Sequence, residues 1–237
     1  MITIHQKAIR GHTRSGWLDS FHTFSFGSFN DPNRMGFGNL RVLNDDSVIP
    51  GAGFAPHRHQ DMDILTYVLK GQLRHEDDQG NISLIAARQA QLMSAGRGVT
   101  HSEFNASEQE TAHFVQIWLL PDTPGGEPSY AQVSVPEQGD ILLAGPATSG
   151  ALLHLRSSTT LRLVHASEHD QTALNTPGSH RFVHLLDGMA FAETERLSAG
   201  DGLEIPADEG TVLDWASDGA ALVFTMPSLL PYPPSTP

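Results

Sequence analysis

Two short segments hold the side chains with the most chemistry to offer. One reads Gly51-Ala52-Gly53-Phe54-Ala55-Pro56-His57-Arg58-His59, the other Gly96-Arg97-Gly98-Val99-Thr100-His101-Ser102-Glu103-Phe104-Asn105. In each, two groups able to bind a metal stand two positions apart. Residues i and i+2 of a strand face the same side, so His57 shares a face with His59, and His101 with Glu103. Antiparallel pairing of the two strands would bring all four together. Three neutral imidazoles and one carboxylate suit Fe(II), Mn, Co, Ni, Cu or Zn. Four protein ligands on an octahedral ion leave two positions for substrate or dioxygen. A lone His-x-His means little, but two same-face pairs, each preceded by a Gly-containing turn, are far more specific.

The elements that must position these pairs read as strands. Helical periodicity is hard to find. Short runs rich in β-branched and aromatic residues recur instead, bounded by Gly, Pro, Asn and Asp: Leu40–Leu43, Ile64–Leu69, Gln72–Glu76, Ile82–Ala86, Ala90–Met93, His113–Leu120, Ala151–Arg156 and Leu161–Ala166. The stretch Asp77-Asp78-Gln79-Gly80-Asn81 between two of them has the chemistry of a hairpin turn. Regularly spaced short strands predict an all-β sandwich or barrel. The segment Pro121–Gly126 breaks regular structure, residues 136–150 read as loop-rich, and Pro231–Pro237 as an irregular tail.

A degenerate internal repeat relates the two halves. LTYVLKG (65–71) parallels RFVHLLDG (181–188), and LIAARQAQLMSAGRGV (84–99) parallels RLSAGDGLEIPADEGTV (196–212). The reading is two copies of one β-fold: residues 1–135 carrying the metal-binding pairs, and residues 136–237 lacking them. In the second copy His165 and His169 stand four apart, as do His180 and His184, and no histidine follows. That half reads as structural.

Bulk composition narrows the function classes. The 237 residues carry 27 acidic and 14 basic groups, a net charge of -13 that repels phosphate backbones and argues against direct nucleic-acid binding. With no cysteine, disulfides, thiolate metal sites and cysteine nucleophiles are excluded, and a reducing cytoplasm is the compartment expected. No stretch is long and apolar enough for a membrane span. Of the 13 histidines, His75 and His113 lie in strand-like runs and read as satisfied core residues, while His12 and His22 receive no chemistry. Met62, Met93, Phe37, Phe104 and Trp118 read as core packing rather than pocket wall.

The spacing of Gly51, His57, His59, Asp63 and Gly71 resembles the first cupin motif, and Gly98, His101 and Asn105 resemble the second. Gly96 stands where many cupins have proline. Three longer texts, WLDSFHTFSFGSFNDPNRMGFGNLRVLNDD (17–46), HRHQDMDILTYVLKG (57–71) and MSAGRGVTHSEFN (93–105), are similar to the pirin family, densely over about residues 10–120. The resemblance implies two tandem cupin-type barrels (a bicupin), of which only the first binds metal, with His57, His59, His101 and Glu103 as ligands. Asp63, where many cupins place a ligating Glu, then reads either as a neighbour of the ligands that steers an imidazole N–H or as a turn or surface carboxylate. Iron is the ion expected first, with Mn, Co, Ni, Cu or Zn admissible. Some pirins show quercetinase activity, the dioxygenation of a flavonol with opening of its central ring. The resemblance therefore implies a small aromatic substrate, O2 as co-substrate, and Glu103 as the base that takes the substrate's hydroxyl proton. Other pirins are regarded as metal-dependent regulators, which makes a transcription factor or metabolic enzyme the alternative partner.

Overall fold

The computed structural model describes residues 1–229; the tail expected at Pro231–Pro237 lies outside them. The chain opens with β1 (Thr3–His5) and one 3-10 turn. It then forms β2 (Gly11–Arg14), β3 (Leu18–His22), β4 (Leu40–Val48), β5 (Gly53–His59), β6 (Asp63–Lys70), β7 (Gln72–Asp77), β8 (Ile82–Ala86), β9 (Gln89–Ser94), β10 (Val99–Asn105), β11 (Ala112–Leu119) and β12 (Ser129–Ser134). There follow β13 (Gly139–Gly145), β14 (Leu153–His154), β15 (Thr160–Ala166), β16 (Gln171–Ala173), β17 (His180–Asp187), β18 (Met189–Ala192), β19 (Glu195–Ser198), β20 (Gly202–Ile205), β21 (Val212–Trp215) and β22 (Gly219–Met226). Among the described residues no helix is long and apolar enough to cross a membrane.

The chain divides into two compact units. The first comprises residues 11–135 with 153–157; the second comprises 1–10, 136–152 and 158–229. Residues 1–10 therefore do not fold with the first barrel, as a simple division at 135/136 supposes. Their strand β1 pairs antiparallel with β20, Thr3 facing Glu204. Two readings of strand placement also change. The loop expected at 136–150 contains β13, because Ile141, Leu143 and Ala144 bury themselves against β15 despite the flanking Pro and Gly. The run 151–156 keeps only the two-residue β14.

In the first unit a large sheet runs β12-β9-β6-β11-β4-β3-β2 and a small one β5-β10-β7-β8. In the second the large sheet runs β1-β20-β17-β22-β15-β13 and the small one β16-β21-β18-β19. Nine strands hold equivalent places in the two orders, β9-β6-β11-β4-β3 matching β20-β17-β22-β15-β13 and β5-β10-β7-β8 matching β16-β21-β18-β19, so each unit is a copy of the same two-sheet β-barrel and the two differ in the strands added at the edges. The hairpin expected at 77–81 joins β7 to β8, closed by the Asp77 N–H donating to the Asn81 carbonyl at 3.1 Å.

The first barrel's interior has two apolar clusters with a polar level between them. Val48, Val68, Leu73, Ile85, Ala112 and Phe114 form one cluster; Ile64, Met93, Ala95 and Val99, joined by Met62, Trp118 and Tyr130, form the other. Along β6, Thr66 lies between Ile64 and Val68; along β11, Gln116 lies between Phe114 and Trp118. The cross-strand register then runs His22–Asn44–Gln116–Thr66–Gln91, one buried polar residue on each of five adjacent strands.

Candidate metal centre

Strands β5 and β10 pair antiparallel, as their His-bearing segments required, with His57 opposite His101 and His59 opposite Val99. Alternation along each strand turns the three imidazoles to one side. Their ring centroids lie 4.6 to 5.0 Å apart, and one ligand atom from each falls within 4.8 Å of the others. His101 is buried, while His57 and His59 are half-buried. Burial, with His57 close by, lowers the His59 pKa to about 4; burial again, with His57, His59 and His75 around it, lowers that of His101 to about 2. Both rings are neutral at physiological pH, the form a metal needs.

The residues fit a metal ion on two further observations. His57 Nδ1 lies 2.8 Å from the Ala55 carbonyl oxygen. Nδ1 donates there, so in the neutral ring Nε2 is the nitrogen that carries the lone pair. His101 Nε2 is buried with no protein partner, a state that a missing ligand would explain.

Glu103 is deeper. The register slips between His101 and Glu103, so Glu103 stands opposite Phe54 on β5 and opposite His75 on β7. Its carboxylate rests on the polar level. Oε1 accepts from Thr66 Oγ1 at 3.2 Å and from Gln91 Nε2; Oε2 accepts from Gln116 Nε2 at 2.7 Å. Gln116 Oε1 in turn accepts from the Trp118 indole N–H at 3.2 Å, which fixes the orientation of that amide. Burial pushes the Glu103 carboxyl above the usual carboxylate range, with His75 and the Thr66 and Gln91 hydrogen bonds opposing. Possible ligand atoms cluster in two triples that share His101: His57, His59 and His101 form one, and His75, His101 and Glu103 the other, so Glu103 sits with His101 and His75 rather than with His57 and His59.

His75 is the buried, partnered core histidine expected, bonded to Asp77 at 3.1 Å and stacked on Tyr130 at 4.7 Å, and it also lies beside His101 and Glu103. Several other expectations change. His113 is not a core residue: it faces outward and bonds Asp45 at 2.6 Å with its side chain 38% exposed. Phe104, one step out of phase with Glu103, points away from the core. Asp63 steers no imidazole. It lies on β6 in the large sheet and accepts the Arg156 backbone N–H at 2.7 Å, tying down residues 153–157. Met93 and Phe37 are buried as expected, whereas the Trp118 ring meets His59 edge-on at 4.8 Å. The donors to Glu103 escaped the sequence reading. The signal for them was a single polar residue at an inward phase of an apolar strand, as in HFVQIWL.

The second barrel shows what replaces the site. Gly71 and Gly188 occupy equivalent turns, both at positive φ (74° and 79°). Counting four residues on, His75 corresponds to Ala192, and their partners across the sheet are Glu103 and Leu213. Two residues before these stand His101 and Thr211. Leu213, Ala192 and the neighbouring Trp215 belong to one apolar core cluster, with the Trp215 indole N–H donating to Thr172 Oγ1 at 2.9 Å. Among the described residues, no triple of possible metal ligands occurs in this barrel.

Residues 4–119 match the family model described as Pirin, and residues 142–226 the one described as Quercetinase C-terminal cupin domain. A protein of Escherichia coli (strain K12) named "Quercetin 2,3-dioxygenase" is 38% identical over 229 residues, covering 96% of this chain and 99% of that protein. One of Caulobacter vibrioides named "Pirin-like protein" is 38% identical over 223 residues, covering 90% and 94%. The crystal structure of YhhW from Escherichia coli superposes with a TM-score of 0.93 at 36% identity, covering 98% of this chain and all of that one. The same bacterial pirin in complex with nickel(II) superposes with a TM-score of 0.92 at 37% identity, covering 96% and 99%. In sequence over nearly its whole length, and in its two cupin barrels, this chain belongs to the pirin family.

Proposed function

We propose that the first barrel holds one divalent transition-metal ion on His57, His59, His101 and Glu103. On this reading the protein is a dioxygenase that uses O2 to open the central ring of a flavonol-like aromatic substrate, with quercetin as the test compound. The observation that carries it is the convergence of three imidazoles, each offering a ring nitrogen within 4.8 Å of the others, with the buried Glu103 carboxylate next to His101. The name of the Escherichia coli K12 relative supports the reaction class, and the nickel(II) complex of the similar pirin supports the ion.

A bound divalent ion supplies Lewis acidity, which favours the deprotonated form of a hydroxyl-bearing substrate. The protein's own groups do the remaining work. His57 and His59 form the half-buried rim, and His101 and Glu103 the floor. Glu103 cannot swing away, because Gln91, Thr66 and Gln116 hold both carboxylate oxygens. Each oxygen retains acceptor capacity beyond those bonds. With its proton affinity raised by burial, Glu103 is suited to take the substrate's hydroxyl proton. Trp118 places an apolar edge against His59 and shields that side from water.

The test is metal content and quercetin absorbance, under air and under argon, for wild type, His59→Ala and Glu103→Gln. Oxygen-dependent loss of quercetin is expected in wild type alone. His59→Ala should lose metal, whereas Glu103→Gln should keep much of it and lose most turnover. Unchanged turnover in metal-loaded Glu103→Gln would remove the base role. Metal-loaded wild type inert toward quercetin would remove the flavonol reading.

A further inference from the structure

We infer that Pro56 is a positioning residue: it pins one extra residue in β5, and the resulting bulge turns His57 and His59 to the same side of the strand as Phe54 and gives the His57 ring a backbone acceptor. The inference rests on the metal reading above and extends it to a residue outside the ligand set.

The pairing of β5 with β10 contains the bulge. His57 stands opposite His101 and Phe54 opposite Glu103. From His101 to Glu103 is two residues, from His57 to Phe54 three, so Ala55 and Pro56 together face the single Ser102. Two residues against one is a β-bulge. On an unbroken strand, positions three apart face opposite sides. Phe54 is anchored inward: it packs against the cluster that includes Val48, Leu73 and Phe114 and meets Trp17 edge-on at 5.2 Å. Without the extra residue, either Phe54 leaves that cluster or both histidines turn outward. Pro56 suits the bulge for two reasons: it lacks the N–H that a ladder position needs, and β5 is an edge strand of its sheet. A residue with an N–H can re-enter the ladder and let the bulge migrate, whereas proline cannot. At the bulge the Ala55 carbonyl lies 2.8 Å from His57 Nδ1. A carbonyl only accepts, so this contact holds the ring whether it is neutral or charged.

The second barrel lacks this device. Its equivalent strands, β16 and β21, pair in unbroken register, Thr172 opposite Leu213 and Ala173 opposite Val212. The Leu174 N–H donates to the Thr211 carbonyl at 2.9 Å and continues that register. Thr211 and Leu213 match His101 and Glu103, so Thr172 stands at the place of Phe54 and Leu174 at that of His57. Only Ala173 separates them, and both are buried. Regular alternation serves the apolar interior, and the extra residue occurs in the barrel that carries the histidines.

The experiment uses the full chain, wild type and Pro56→Val. Valine returns the N–H and favours the regular ladder. Two quantities are read: the β5–β10 register in the metal-free protein, from cross-strand nuclear Overhauser contacts, and the affinity for Co(II) by calorimetry. Wild type should show Phe54 against Glu103 and His57 against His101. Pro56→Val should keep the first contact, exchange the second for one between residue 56 and His101, and bind Co(II) about 10- to 100-fold more weakly. If the valine variant does not fold, Pro56→Ala returns the same N–H in a smaller side chain and is read in the same way. Absence of the His57–His101 contact in wild type overturns the inference. So does an unchanged register in the variant, whatever its stability or Co(II) affinity, because proline is then not what pins the bulge; this leaves the metal reading intact. A shifted register with undiminished Co(II) affinity shows that the bulge does not position the ligands, and also overturns it. Wild type that shows both contacts but binds no Co(II) removes the metal reading, and the inference with it.

Discussion

Glu103 and Asp46 are both buried in the first barrel, and their surroundings set them different tasks. Glu103 is gripped by three donors beside the imidazoles. Asp46, on the inward phase of β4, accepts from Ser20 Oγ and is otherwise enclosed. Burial is the chief reason its pKa rises from 3.8 to about 7, with Asp45 and Glu103 adding to the shift and Ser20 opposing it. In metal-free protein, between pH 4 and 7, the folded state therefore holds a proton that the unfolded chain has released. Stability should fall as pH rises through that window, with a slope approaching about 1.4 kcal/mol per pH unit. Asp46→Asn removes the ionisation and keeps an acceptor for Ser20. It should flatten this dependence and be more stable than wild type at pH 8. Urea unfolding at pH 5 and pH 8 decides the matter, and equal pH slopes in the two proteins would show that Asp46 is already ionised near neutrality.

The site depends most on the β5–β10 ladder, and Gly53 is its tightest point. A Cβ there would lie 2.2 Å from the Glu103 carbonyl oxygen and 2.5 Å from Phe104 Cα. Both are backbone atoms, so β5 itself would have to move. Gly53→Ala should cost about 1–3 kcal/mol, and it should weaken metal binding because His57 leaves with its strand. Thermal melts with and without metal measure both effects; a destabilised variant with undiminished metal-induced shift would show that β5 tolerates the displacement beyond His57. The ladder was legible in the sequence because i, i+2 spacing and strand alternation are local properties. The seven-residue runs Gly53–His59 and Val99–Asn105 carry their own facing. Not legible was anything set by register between distant strands. Thr66, Gln91 and Gln116 come together only because β6, β9 and β11 are neighbours in the sheet. The same holds for His75, which meets His101 and Glu103 only because β7 and β10 are neighbours in the small sheet. Asp63 could not be assigned from motif spacing, which sets it near the ligands along the chain, whereas its strand carries it, buried, into the other sheet. β13 was hidden by Gly and Pro at its borders, where burial outweighed turn propensity.

At the scale of the whole molecule, one barrel plan has been used twice with opposite interiors. The first interior spends its buried polar groups on holding a carboxylate and three imidazoles. The second spends them on closing loops: the Arg181 guanidinium, only 1% exposed, donates to the carbonyls of Thr176 at 2.6 Å, Ser179 at 2.7 Å and Pro206 at 3.0 Å. At the positions matching His75, Glu103 and His101 it has Ala192, Leu213 and Thr211, which together present no charged or imidazole ligand. A divalent ion there would face an apolar wall and lose its hydration without replacement, a cost of several kcal/mol or more. Calorimetric titration of the metal-free chain with Ni(II) should therefore saturate at one ion per chain. Because binding to the folded state alone stabilises it by RT ln(1 + [L]/Kd), the same ion should raise the unfolding temperature, and His59→Ala should abolish both effects together. A second equivalent that survives in His59→Ala would mean that the C-terminal barrel has ligands the matched positions do not contain. A single equivalent lost in that variant would tie metal binding to the one interior that kept its histidines.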